Sequence, residues 1–203
     1  MKKNLLMVLL IGFAGLFTGH AQNSSGPLVW CGLDYSRVKM IGTDDFRQPD
    51  QIFPAMLAKW NSLFLTEMMP KLERMAGSVE TDLDAVSARN DKASTSQIER
   101  HDGSTSEMVT PSHITQADID DAVHSYKLTH DHGVGLVFIM DRLVKAQQTG
   151  CLYAVFFDVS SRKVLYSERY VEKAGGAGFR NYWFKPIKGT VEKLPKAYKT
   201  VKP

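Results

Sequence analysis

Between Ile52 and Met75, apolar residues return every three to four positions: Ile52, Phe53, Met56, Leu57, Trp60, Leu63, Phe64, Met68, Leu72 and Met75. That period lays one broad apolar stripe along a helix. Asp50 stands where an N-cap is wanted, and Pro54 falls in the first turn, where a missing N–H costs little. Pro70 must kink or end the helix, and Gly77 is a natural stop. The methionines of this stripe read as core filler. Upstream, Leu28–Asp34 (LVWCGLD) is a short apolar run between Pro27 and a polar Tyr35-Ser36-Arg37, the pattern of a buried strand, with Val38 to Gly42 as its bent second half.

A polar loop, residues 43–49, separates strand from helix. Beyond the helix, Val79, Leu83 and Val86 are sparse anchors, and residues 87–112 form a long polar excursion. Thr115 with Asp118 resembles a capping box, and Ile114 with Ile119 sits where a hydrophobic staple belongs, so a helix runs over 114–128. From Gly133 to Lys193 the chain reads strand (GVGLVFIMDRL), strand (CLYAVFFDV), tight turn (Ser160-Ser161-Arg162), strand (VLYSERYV), glycine loop (GGAGF) and helix. Phe179, Tyr182, Trp183, Ile187, Val191 and Leu194 give that last helix its buried face, Pro186 kinks it, and residues 196–203 are a frayed basic tail. The reading is one α/β domain over residues 22–203. It has a mostly antiparallel sheet of four to five strands covered by about three helices, in two or three layers.

The N-terminus is a targeting pattern. Lys2 and Lys3 precede an apolar Leu5–Phe17 stretch, and Gly19 and Ala21 offer a small-residue cleavage site, so residues 1–21 read as a signal peptide. The stretch is too short to span a bilayer comfortably, and no transmembrane segment is expected in the mature chain. The chain has 25 Lys+Arg against 22 Asp+Glu, with two of the lysines in the leader, so the mature protein is near neutral. Nucleic acid is not an expected partner.

Candidate chemistry is thin. GGAGF lies before a helix, as a phosphate-binding turn would, but it lacks the spacing of the nucleotide-binding motifs; Gly176 and Gly178 serve the turn, and no cofactor is expected. His130-Asp131-His132 is the densest group of metal-type ligands. His130 and His132 share one face of a strand and would need a third ligand, such as His113, His124 or Asp141. The strand-end acids Asp34, Asp141 and Asp158 would supply a hydrolase only if they converged. Cys31 and Cys151 form a disulfide only if their strands are neighbours; otherwise they are two inert buried thiols. Asp34, Tyr35, Arg180 and Tyr182, with Gly176 and Gly178, mark the expected partner or ligand surface, and Tyr166 and Tyr170 join them as exposed tyrosines.

FFDVSSRKVLYSERY followed by GGAGFRNYW resembles periplasmic α/β modules of the curli-secretion lipoprotein and TolB amino-terminal type, and of the lipoprotein activators of penicillin-binding proteins. VWCGLDYSRVKMIG with GFRNYW is similar to a family of small exported Gram-negative proteins of unknown function. The chain departs from the lipoprotein groups in having no lipobox cysteine. The resemblance implies an exported protein, periplasmic or peripherally associated with the outer membrane, that binds another envelope protein or assists assembly. The competing expectation is a small metal-dependent or hydrolytic enzyme using His130-Asp131-His132 and the strand-end acids.

Overall fold

The computed structural model describes residues 26–42, 46–99 and 112–201; the expected signal peptide, residues 1–21, and residues 100–111 of the polar excursion lie outside them. Chain order is β1 (Leu28–Asp34), β2 (Lys39–Ile41), the single turn α1 (Pro49–Gln51), α2 (Leu57–Glu67), α3 (Met69–Ala76), β3 (Val79–Thr81), α4 (Ser87–Asn90), β4 (Ile98–Glu99), α5 (Gln116–Ser125), β5 (Val134–Val144), β6 (Thr149–Asp158), β7 (Val164–Lys173) and α6 (Gly178–Val201).

β5 organises the sheet. Along one edge it takes β1 and then β2, end to end and both parallel: Leu28 to Asp34 lie against Val134 to Ile139, and Lys39 to Ile41 against Arg142 to Val144. β3 and β4 add outside β1 and β2, again parallel. On its other edge β5 pairs antiparallel with β6, and β6 with β7. The sheet therefore has seven strands with a parallel centre, and five helices besides the turn α1, among the described residues. This corrects the expected mostly antiparallel sheet of four to five strands. Tight turns reveal the β5–β6–β7 hairpins locally, whereas β1 meets β5 across more than a hundred residues of chain. β3 and β4 span only three and two residues, too few for a visible alternation.

Helices cover both faces. Trp30, Phe64, Phe138, Phe156 and Phe184 fill the core under α2, α3 and α6, where Trp30 stacks on Phe64 with ring centroids 3.9 Å apart and Phe138 meets Trp30 edge-on. Val29, Cys31, Val137, Ile139, Val155 and Phe157 face Ile119, Val123 and Tyr126 of α5. Across the β5–β6 ladder Gly135 opposes Phe157, whose ring occupies the space a Cβ on Gly135 would need, 2.2 Å from its nearest atom.

Local signals account for most helix ends. Thr115 and Asp118 exchange hydrogen bonds as a capping box, and Ile114 and Ile119 are both buried. α2 begins five residues later than the stripe suggested. Phe53 precedes Pro54, whose ring disfavours helical geometry at that position, and its backbone is extended (φ −103°, ψ 127°). α2 then stops short of Pro70, which sits in the first turn of α3. α6 runs on through 196–201, a stretch expected to fray, because Ala197 and Tyr198 stay buried against the sheet. Of the polar excursion, residues 87–99 carry α4 and β4, the latter as an edge strand on β2. No helix among the described residues is long and apolar enough to cross a membrane.

Candidate functional site

In parallel sheets the C-terminal ends of the strands are the usual place for a ligand. Here the end of β1 is occupied by the protein itself. Asp34, wholly buried, accepts hydrogen bonds from Arg89 Nε (2.8 Å), Tyr126 Oη (2.9 Å), and the Ser36 amide and hydroxyl. Asn90 stands in for a missing strand across the gap between β1 and β2: its Nδ2 donates to Leu33 O and its Oδ1 accepts from Tyr35 N, each at 2.9 Å. Tyr35 itself is only 5% exposed, so neither it nor Asp34 belongs to a surface. The polar Tyr35-Ser36-Arg37 stretch hides this, because partners far along the chain satisfy its backbone.

Asp141 is held in a similar way. Arg169 donates through Nε and Nη2, both 2.6 Å away, and His113 Nδ1 lies 2.9 Å from Oδ1. Burial pushes the Asp141 carboxyl up, but the His113 and Arg169 contacts outweigh it and hold the group below its ordinary range. Asp158 caps the β6–β7 turn, accepting from Ser160 Oγ, Ser161 N and Ser161 Oγ. It pairs with Val134 at the start of β5, the end remote from Asp141, so the three strand-end acids do not meet at one place: Asp34 lies opposite Ile139, near Asp141, and Asp158 stands apart.

The two histidines of His130-Asp131-His132 look to different partners. His130 Nε2 lies 2.8 Å from Glu80 Oε2 and its Nδ1 3.1 Å from Asp82 Oδ2; His132 Nδ1 lies 2.6 Å from Asp131. Asp82 also accepts from the Thr129 amide and hydroxyl, so the group pins the connector that leads into β5. No set of three or more His, Cys, Asp or Glu among the described residues has the geometry to hold a metal. Cys31 on β1 and Cys151 on β6 are free and buried, with β5 between their strands, so the condition for a disulfide is not met. Burial raises the Cys31 thiol far above its ordinary range and pushes Cys151 up to about 11.

The glycine loop does gather a site. Gly176 (φ +117°) and Gly178 (φ +76°) hold backbone conformations that side chains resist, and Gly175 N donates to Tyr182 O at 3.1 Å, folding the loop back on the first turns of α6. That turn presents Phe179, Tyr182 and Trp183 to a cavity of about 380 Å³, whose other walls are Phe46, Arg47, Lys145, Gly176 and Gly178. Phe46 stacks on Trp183 with centroids 5.6 Å apart, and Phe179 stacks on Trp60 at 5.9 Å. Lys145 Nζ sits 3.4 Å from the centre of the Tyr182 ring, a cation–π contact. The Tyr182 hydroxyl is buried and makes no hydrogen bond among the described residues.

Three of the residues chosen from sequence, Gly176, Gly178 and Tyr182, thus meet in one cavity. Arg180 is exposed outside it; its carbonyl accepts from Trp60 Nε1 at 3.2 Å. Tyr170 is buried and Tyr166 half-buried, both hydroxyls donating to Glu168, so these tyrosines are not the exposed pair expected. Phe46, Arg47 and Lys145 escaped sequence reasoning because they come from loops distant in the chain. The one signal was Phe46, an aromatic residue in an otherwise polar loop. The sequence matches no protein-family model and no curated protein.

Proposed function

We propose that this chain is an exported module of the cell envelope that acts by binding, and that its site is the cavity beside the glycine loop. The observation that supports this reading is the convergence of four aromatic rings and two cationic side chains on one opening. Binding sites are concave and combine apolar walls with placed polar groups; here polar and apolar surface line the opening in about equal parts. The partner presents an anionic group, such as a carboxylate, close to Arg47 and Lys145, with an apolar or aromatic group against Phe46 and Phe179. Export is carried by the N-terminal pattern of lysines, apolar run and small residues.

The test is affinity capture from an envelope extract with the wild-type chain and with Lys145→Glu and Tyr182→Ser. A component held by the wild type and lost with both variants supports the cavity. Identical capture by all three places the binding elsewhere and overturns it.

A further inference from the structure

Charge is distributed unevenly along the chain. α6 carries Arg180, Lys185, Lys188, Lys193, Lys196 and Lys199 against a single acid, Glu192. Its excess of five positive charges is larger than the +3 of the whole chain, so everything outside α6 is net acidic. The lysines also share a face. Trp183, Phe184, Ile187, Val191, Leu194 and Tyr198 point into the core, while the lysines, three to five residues apart, line the opposite side. At 1.5 Å per residue, the lysines from Lys185 to Lys199 spread over roughly 21 Å of a helix roughly 36 Å long.

Part of the charge is neutralised at home. Lys188 pairs with Glu67, Lys193 with Glu172, and Glu192 with Lys71. Lys185, Lys196 and Lys199 are exposed and make no ion pair among the described residues; the Glu168 carboxylate, whose charge interacts with Lys196, is already shared by two tyrosine hydroxyls.

We infer that the solvent face of α6 docks the protein onto an anionic lipid surface, through diffuse attraction rather than insertion of a side chain. Three observations favour lipid over a protein partner. Protein interfaces are anchored by buried aromatic or apolar groups and are poor in lysine. The only large hydrophobic residue that stands exposed among the described residues is Val171, on β7 and not on this face. Lysine is a hydrated point charge suited to a field of headgroups, whereas recognition of a single carboxylate or phosphate favours the arginine fork. A row of lysines along one side of a single helix also suits a plane. The inference is independent of the cavity, whose lining includes none of the α6 lysines.

The test is sedimentation of the full chain with phosphatidylcholine vesicles, with and without phosphatidylglycerol. Binding to the neutral vesicles measures what the apolar N-terminal residues contribute. Partition onto the anionic vesicles should exceed it and fall with added salt. The triple variant K185Q/K196Q/K199Q should lose at least about tenfold in partition coefficient. K59Q/K92Q/K127Q, which removes as many exposed lysines elsewhere, should stay near wild type. The single reversal K196E gives the same ordering should the triple variant not fold. Equal partition onto both vesicle types, or equal losses in the two triple variants, would overturn the inference. So would binding to polyglutamate with none to anionic vesicles.

Discussion

Asp34 and Arg89 stand 55 residues apart in the chain and meet at 2.8 Å, the carboxylate wholly buried and the guanidinium nearly so. The contact ties α4, from the polar stretch after the helical pair, onto the end of β1. Removing one partner of a buried pair leaves an uncompensated charge. Arg89→Met should therefore cost about 3 kcal/mol in urea denaturation. Arg37→Met removes a pair in which both side chains are partly exposed, Arg37 with Asp118, and should cost under about 1 kcal/mol.

The α5 cap gives a pH signature. Hydrogen bonds from the Thr115 amide and hydroxyl, and then the contact with Arg37, pull the Asp118 carboxyl from 3.8 down to about 2. A group with a depressed folded pKa stabilises fully above its unfolded value and ceases to do so as pH falls through the folded one. The Tm difference between wild type and Asp118→Asn should hold steady at neutral pH, shrink below about pH 4 and vanish near pH 2. A difference that stays constant down to pH 2 would show that the carboxylate charge contributes nothing.

Gly135 and Phe157 form a fitted pair across β5 and β6. Ala at 135 puts a methyl group into the Phe157 ring, so Gly135→Ala should cost about 2 kcal/mol by overpacking. Trimming the ring should recover part of that loss. Gly135→Ala/Phe157→Leu is expected to fall short of additivity in a double-mutant cycle followed by thermal denaturation.

The thiols should be silent in the native state. Cys31 and Cys151 are both fully buried, and burial keeps each in its neutral form at physiological pH. A colourimetric disulfide reagent should label neither in buffer and both in denaturant. Oxidation of the native protein should yield no intramolecular disulfide, since β5 separates the two strands.

How much of this was legible depended on distance along the chain. The β6–β7 turn, the Thr115–Asp118 cap and the buried aromatic face of α6 are written in neighbouring residues, and each is found where the sequence placed it. The parallel centre is not, although a hint was present: β1 is buried on both faces, and an unbroken apolar run such as LVWCGL is what a parallel strand needs. The site divided along the same line. Gly176, Gly178 and Tyr182 belong to one local turn and were found together, whereas Phe46, Arg47 and Lys145 reach the cavity only through the tertiary fold. Asp34 and Tyr35 looked like surface because their partners, Arg89, Asn90 and Tyr126, lie in segments with no reason of their own to approach β1.

The position of β5 has a consequence for the order in which the molecule comes into being. β1 and β2, the first strands made, have their main partner beginning at Val134, so two thirds of the chain must exist before either can complete its ladder. Loops of that length close slowly, and contacts so remote in sequence set the folding rate. A growing chain of this design keeps its amino-terminal half uncommitted until late. Such tardiness would suit the export proposed above: a chain threaded across a membrane would zip up its sheet only once β5 had arrived on the far side.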